Sequence, residues 1–327
     1  MLTEILKITD ESVVKAKDIL LSGGVVAMPT ETVYGLAAVA TCSTAVKNIF
    51  EVKGRPIDNP LIAHVHKDFS LETLVYIDHD YVYGLKDRFM PGPLTMVFRS
   101  KGIVCKEAVC GGDTLAVRMP SHEGCQQLLR AVNMPLVAPS ANLSKHTSPV
   151  TAQHVYSDLN GRIPLILDGG KCGGGIESTV LDVTEKVPRI LRAGLITKEM
   201  IEEVAGKCEI AQHKDGDKVR SPGVKYRHYR PNCETALADS VEDAVRIYEE
   251  KTAEGKTAYI MCDDTAAKAL AGYNVLNLGK TDKEIAFNLY DRLLEGEKKA
   301  DIIIAVSFNR EDGVYLGIMN RLRKSCG

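Results

Sequence analysis

Along the first two hundred residues the apolar positions switch irregularly between a helical and a strand rhythm. Val13, Val14, Ala16, Ile19 and Leu20 recur near a 3.6-residue period. This predicts a helix through Val13–Leu21, capped by Asp10 or Ser12 and ended by Gly23-Gly24. Thr44–Lys53 predicts a second helix, which Pro56 forbids from continuing. Short apolar runs at Val25–Met28, Leu61–Val65, Leu94–Phe98, Leu115–Arg118, Leu136–Ala138, Leu165–Leu167, Thr179–Val183 and Arg189–Leu191 predict strands. So many strands between unequal helices predict an α+β arrangement with a twisted mixed sheet, not a regular βαβ series. From about residue 233 the rhythm becomes regular. Thr235–Ala238, Ala258–Met261, Val275–Leu278 and Ile302–Val306 read as strands, each followed by a helical stretch: Val241–Glu254, Thr265–Leu270, Lys283–Leu294 and Val314–Leu322. That alternation predicts a small Rossmann-like parallel α/β domain. The expected division is a first domain over 1–205, a linker over 206–232 and a second domain over 233–327.

Composition narrows the function classes. The 327 residues suit two domains at about 150 residues each, and 45% hydrophobic with 26% charged residues excludes an intrinsically disordered chain. Forty-one Lys+Arg against 43 Asp+Glu give a net charge of −2, which argues against a dominant non-specific grip on nucleic acid. A local strip remains. His213–Pro231 carries Lys214, Lys218, Arg220, Lys225, Arg227 and Arg230 against Asp215 and Asp217, with Tyr226, His228 and Tyr229 interleaved. A passive tether lacks such aromatics, so this linker is expected to touch an anion. No apolar run approaches the ~18 residues of a membrane span, and the first residues lack a basic segment followed by an apolar block. The nine cysteines are scattered without any C-x-x-C, which excludes a zinc knuckle and fits a reducing compartment. The expected location is the cytoplasm.

Familiar nucleotide signatures fail. Gly279-Lys280-Thr281 resembles the end of a Walker A loop, but Asn274 stands where its first glycine belongs. Three other stretches carry candidate chemistry. Lys53-Gly54-Arg55-Pro56, followed by Asp58-Asn59-Pro60-Leu61, places two cations beside a glycine where a helix must stop, suiting phosphate oxygens or, equally, a solvated turn. Pro139-Ser140-Ala141-Asn142-Leu143-Ser144, reaching Thr147-Ser148-Pro149, follows an apolar strand, and strand ends are where α/β sheets bind ligands; ordinary turn and cap chemistry would use the same residues. Asp168-Gly169-Gly170, Gly173-Gly174-Gly175 and Glu177-Ser178-Thr179-Val180 form a glycine-rich loop feeding hydroxyls into a strand. Arg118 and Arg192 close strands, and His64 lies near the end of one; each alone reads as structural.

Taken in order, these stretches join Pro29-Thr30-Glu31-Thr32-Val33-Tyr34-Gly35-Leu36, Pro91-Gly92-Pro93-Leu94-Thr95 and Ile190-Leu191-Arg192-Ala193-Gly194. The series resembles the YrdC-type threonylcarbamoyl-AMP synthase family. Ser221–Pro231 resembles the interdomain linker of its long, two-domain form, and the likeness is weakest over 235–327. The resemblance implies condensation of L-threonine, bicarbonate or CO2 and ATP into L-threonylcarbamoyl-AMP plus diphosphate. The product would pass to tRNA-modifying threonylcarbamoyl transferase proteins acting on adenosine 37 of tRNAs that read codons starting with A. It implies threonine contacts from Thr32, His64, Arg118, Ala138 and Ser178. It implies ATP contacts from Lys53, Arg55, Asn59, Thr114, Ser140, Asn142, Ser148 and Arg192, with Tyr226 or Tyr229 of the linker closing over the nucleotide. Lys53 and Arg55 would stabilise phosphate charge, Mg2+ would bridge the phosphates, and no protein nucleophile or protein metal cage is required. No general base is singled out. Two other classes stay open at this level: an RNA-binding module without turnover, using the 214–230 strip, and a carbamoyl-processing maturation enzyme carrying a related domain.

Overall fold

The structure, a computed structural model, describes residues 2–211 and 229–327. Tyr226 and most of the basic strip lie outside the described residues. The chain opens with β1 (Glu4–Lys7), α1 (Asp10–Leu21), β2 (Val26–Met28), β3 (Gly35–Val39), α2 (Ser43–Lys53) and β4 (Ile62–His64). Then come β5 (Val75–Tyr76), α3 (Tyr81–Phe89), β6 (Leu94–Ser100), β7 (Thr114–Arg118), α4 (Glu123–Val132) and β8 (Leu136–Val137). The first part ends with α5 (Ala152–Leu159), β9 (Leu165–Asp168), β10 (Thr179–Asp182), β11 (Arg189–Arg192), α6 (Lys198–Ala205) and β12 (Glu209–Ile210). The second part runs β13 (Glu234–Ala238), α7 (Val241–Ala253), β14 (Ala258–Cys262), α8 (Asp264–Ala269), β15 (Val275–Asn277), α9 (Asp282–Gly296), β16 (Ile302–Val306) and α10 (Gly313–Cys326).

The first sheet follows the order β1-β9-β2-β3-β8-β4-β7-β6-β10-β11-β12, with β5 on β6. It is mixed: β4 runs parallel to β7, β7 antiparallel to β6, and β6 parallel to β10. One face is covered by α1 and α4, through Val13, Ala16, Leu20, Leu128 and Leu129. The second sheet, β13-β16-β14-β15, is parallel throughout. Helix α1 begins one residue earlier than either expected cap allows. Thr9 is the N-cap, accepting from the Ser12 amide, while Ser12 answers as the third helical residue. This reciprocal capping box satisfies two amides that Asp10 or Ser12 alone would leave open.

The two sheets share one apolar core. Phe50, Leu85 and Leu181 of the first part belong to the same buried cluster as Leu289, Tyr290 and Ile318 of the second. The glycine-rich loop is where they press together. A Cβ on Gly175, whose φ is +71°, would fall 2.2 Å from the Ala286 carbonyl oxygen and 2.4 Å from Phe287 Cα, so only glycine permits this approach to α9. Lys171 adds an ion pair to Asp291 at 2.7 Å.

A polar latch closes the same joint. His146 Nδ1 donates to Asp158 and its Nε2 to Glu297 of the second part, each at 2.8 Å. Burial opposes the imidazolium, but hydrogen bonds to both carboxylates more than offset it and raise the group from 6.5 to about 9. A group raised in the folded state stabilises fully below its unfolded value and loses that contribution as pH climbs through the folded one. The melting temperature should therefore fall by several degrees between pH 7 and pH 10, beyond the trend of a His146→Gln variant. Thermal melts across that range check this; parallel curves would remove His146 from the latch.

Candidate active site

The site is built from strand ends. His64 ends β4 and Arg118 ends β7, and the two are direct partners in register. Thr95 of β6 is the partner of Arg118 on its other side. Ser178, just before β10, joins the row through a 2.8 Å hydrogen bond between its hydroxyl and that of Thr95. Arg192 ends β11 and donates Nε to the Ser178 carbonyl at 3.1 Å and Nη2 to the Ser178 hydroxyl at 3.2 Å. Strand pairing thus carries residues far apart in sequence to one edge.

Across from this row lies the turn after β2. Thr30 Oγ1 accepts from the Thr32 and Val33 amides at 3.1 and 3.2 Å, donates to the Val33 carbonyl at 2.7 Å, and meets Thr32 Oγ1 at 2.9 Å. It fixes a turn that presents Thr32. A pocket opens between, lined by Thr32, His64, Arg118, Ala138 and Ser178 together with Arg55, Ser140, Arg192 and Tyr229; Thr30, Val33, Gly35, Ile62, Pro139 and Glu177 complete the lining. Three guanidinium groups and one carboxylate therefore line this pocket.

Each charge has a defined setting. Arg118 is buried, donates Nε to the Gly92 carbonyl at 3.3 Å and places Nη2 2.7 Å from Glu31 Oε1. The ion pair is poorly aligned, since among the described residues neither atom completes a hydrogen bond. Arg55 follows Gly54, the left-handed cap of α2, and donates Nη2 to the Asn59 carbonyl at 3.1 Å. Burial, with some repulsion from Arg192, pushes its guanidinium down to about 10, so it stays charged at neutral pH. Burial and the neighbouring Arg118 press His64 down to about 3. Its Nδ1 donates to the Ile62 carbonyl at 3.0 Å, which leaves Nε2 as a neutral acceptor. Tyr229 is buried, adopts φ +73° and stacks on Tyr290 at 5.3 Å.

Five expected residues lie outside the lining. The Lys53 ammonium is buried against the Ser140 and Asn142 carbonyls at 2.5 Å each; burial and Arg55 hold it well below the usual lysine range. Asn142 donates Nδ2 to the Leu143 and His146 carbonyls. Ser148 donates to Glu177 Oε1 at 2.6 Å. Asn59 is buried, and among the described residues neither of its side-chain polar atoms has a partner. Thr114 begins β7, whose far end carries Arg118, about 13 Å away along the strand. Glu177 and Thr30 also line the pocket; both stand in the motifs above, where no role is expected of them. The signal in the sequence is an acid directly before two hydroxyls, Glu177-Ser178-Thr179; its burial is seen only in the fold. Among the described residues no three His, Cys, Asp or Glu side chains gather as a metal cage.

A mixed α/β sheet with a cationic, hydroxyl-lined pocket at its strand ends defines an enzyme of small anionic substrates. The Sua5_yciO_yrdC family, described as "Telomere recombination", matches residues 18–194, and the family "Threonylcarbamoyl-AMP synthase, C-terminal domain" matches residues 196–327. Threonylcarbamoyl-AMP synthase of Pyrococcus abyssi is 41% identical over 316 residues, covering 95% of this chain and 93% of that protein. The Bacillus subtilis protein of the same name is 40% identical over 332 residues, covering 99% and 96%. The crystal structure of P. abyssi Sua5 complexed with L-threonine matches with a TM-score of 0.88 at 39% identity, covering 99% of this chain and 96% of that one. The chain belongs to the threonylcarbamoyl-AMP synthase family.

Proposed function

We infer that this pocket condenses L-threonine, bicarbonate or CO2 and ATP into L-threonylcarbamoyl-AMP, releasing pyrophosphate. The observation that carries the reading is the convergence of Arg55, Arg118 and Arg192 with Thr32 and Ser178 on one pocket. Arg118 takes the threonine carboxylate in a planar fork, and Glu31 is the anion it holds otherwise. Thr32, Ser178, the Ala138 backbone and the bare Nε2 of His64 receive the threonine hydroxyl and amine. Val33 and Ile62 supply apolar lining for its methyl group. Arg55 and Arg192 face the phosphates, Ser140 the rest of the nucleotide, and Tyr229 packs over it. Lys53 acts from behind by holding the 140–142 turn, with Asn59, Asn142 and Ser148 in the same supporting layer. Thr114 is further off and serves the nucleotide only indirectly.

The chemistry uses positioning and charge. The threonine amine adds to CO2, giving a carbamate and a proton. A carbamate oxygen attacks the α-phosphorus, and pyrophosphate leaves with its electron pair. Arginines preorganised around the phosphates stabilise the charge that develops. His64, held near 3, is too weak a base to take the proton at neutral pH; it orients, and solvent receives the proton. Mg2+ belongs to this reading as an ion carried on the nucleotide's own phosphates. The one lining carboxylate, Glu177, is already engaged by Ser148, Tyr290 and Arg321, so no step is assigned to a protein-bound metal. The product then goes to threonylcarbamoyl transferases acting on tRNA, in the cytoplasm.

Pyrophosphate release from ATP should require both threonine and bicarbonate. Serine should be poorer by about tenfold, since the missing methyl is worth ~1 kcal/mol or somewhat more. Equal release with no amino acid present would refute the synthase reading.

A further inference from the structure

Glu177 lines the pocket, yet most of its partners come from elsewhere. Its Oε1 accepts from the Ser148 hydroxyl at 2.6 Å. Its Oε2 accepts from the Tyr290 hydroxyl of α9 at 2.9 Å and from Arg321 Nε of α10 at 3.1 Å. Arg321 is fully buried and also donates Nη1 to the Ala193 and Gly317 carbonyls, which anchors it across the joint between the two parts. Arg192, the pocket cation nearest in sequence to Ala193, instead spends Nε and Nη2 on Ser178. Among the described residues no hydrogen bond or ion pair joins Arg192 to Glu177.

A buried carboxylate pairs with whichever cation is at hand. Two guanidinium groups are close enough to Glu177 to act on its charge: against the opposition of burial, Arg321 and then Arg192 hold its carboxyl down to about 2. The geometry awards the carboxylate to Arg321. Were Arg321 absent, Arg192, which lines the same pocket, and Lys324 of α10 would be the cations left in range of the carboxylate, and Arg192, the stronger of the two on Glu177, would be neutralised from the protein side.

We propose that Arg321, assisted by Tyr290, is a positioning residue for the reaction: from the C-terminal part it occupies Glu177 and so keeps Arg192 committed to the pocket's anionic substrate. This gives the second part a role in nucleotide affinity without its touching the nucleotide. The inference rests on the assignment of Arg192 to the phosphates made above.

The test is ATP and threonine binding to the full chain by titration calorimetry, so that its readout is affinity and not turnover. Arg321→Met should weaken ATP by about tenfold or more while threonine affinity stays within about twofold. Glu177→Gln/Arg321→Met should recover most of the lost ATP affinity, because a neutral amide no longer neutralises Arg192. Tyr290→Phe removes one hydrogen bond from Glu177 and should shift ATP affinity in the same sense by less. Unchanged ATP affinity in Arg321→Met overturns the proposal, as does an equal loss for both ligands or a double variant no better than the single one. Should Arg321→Met fail to fold, the double variant and Tyr290→Phe decide: wild-type ATP affinity in Tyr290→Phe, or ATP binding by the folded double variant about tenfold or more weaker than wild type, overturns it. A wild-type chain that binds ATP but forms no adenylate would refute the functional reading and leave this comparison intact.

Discussion

Replacing Arg55 with alanine should lower kcat/KM for ATP by about 10²–10³-fold, the usual effect of removing one preorganised donor from a developing anion. The position makes the effect large. Gly54 ends α2 in the left-handed region, and the chain turns so that the next side chain enters the pocket instead of solvent. Among the described residues Arg55 is held by one hydrogen bond, from Nη2 to the Asn59 carbonyl, and its Nε has no partner. Buried donors that lack partners are costly unless a ligand completes them. The triphosphate is that ligand in the proposed reaction. Arg55→Lys should recover part of the loss, because a point charge replaces the charge but not the fork. Steady-state rates at saturating threonine and bicarbonate, with ATP varied, measure both. Threonine affinity should hardly move, and an ATP dependence like that of the wild type would remove Arg55 from the phosphate site.

The contrast between Arg55 and Lys53 shows how far local sequence can be read. Both stand in one short basic motif, and composition treats them alike. The structure separates them, because Lys53 is still on the inner face of α2 while Arg55 follows the turn. Burial sends the Lys53 ammonium to two carbonyls of the 140–142 turn, a contact 87 residues away that no local pattern announces. The strands were legible where apolar runs are long, as at Leu94–Ser100 and Ile302–Val306. Strand β3 was not, since Gly35–Val39 is rich in small residues with weak strand propensity; pairing on both sides makes it a strand. Helix α4, which is not among the expected helices, carries Cys125, Leu128, Leu129 and Val132 at helical spacing, so the sequence does hold its signal. Strand-ending arginines were recognisable as a type. That Arg118 stands beside His64 and Thr95 follows only from sheet order and register.

The same limit explains Glu177. Its residue type and its place in a motif were visible, but its partner Arg321 lies 144 residues on, within the region where the family likeness was weakest. Helix α10 reads as an ordinary amphipathic helix, and nothing in its periodicity distinguishes an arginine that will be fully buried from one on a solvated face. Only the docking of the two parts, with Gly175 against α9, makes that burial tolerable, because the approach brings a carboxylate to the guanidinium.

Arg118→Ala should weaken threonine by about a hundredfold while ATP affinity changes little. The buried guanidinium is placed by its neighbours on both sides: β4 and β6 fix its register, and the Gly92 carbonyl fixes its Nε. Its Nη2 is beside Glu31 at 2.7 Å and, among the described residues, completes no hydrogen bond. A threonine carboxylate accepting two aligned bonds would improve on that contact, since charge-assisted bidentate pairs are the stronger ones. Truncating one partner of such a buried pair costs about 2–5 kcal/mol, and about 3 kcal/mol corresponds to roughly a hundredfold in affinity. Arg118→Lys should fall between, losing the fork and keeping the charge. The loss should appear in KM for threonine more than in kcat, because the carboxylate is held alike in the ground state and during attack on the α-phosphorus. Titration calorimetry with threonine and with ATP separates the two substrates. A wild-type threonine affinity in Arg118→Ala would show that the carboxylate binds elsewhere in the pocket. An equal loss of both substrates would mean that the strand edge itself had collapsed.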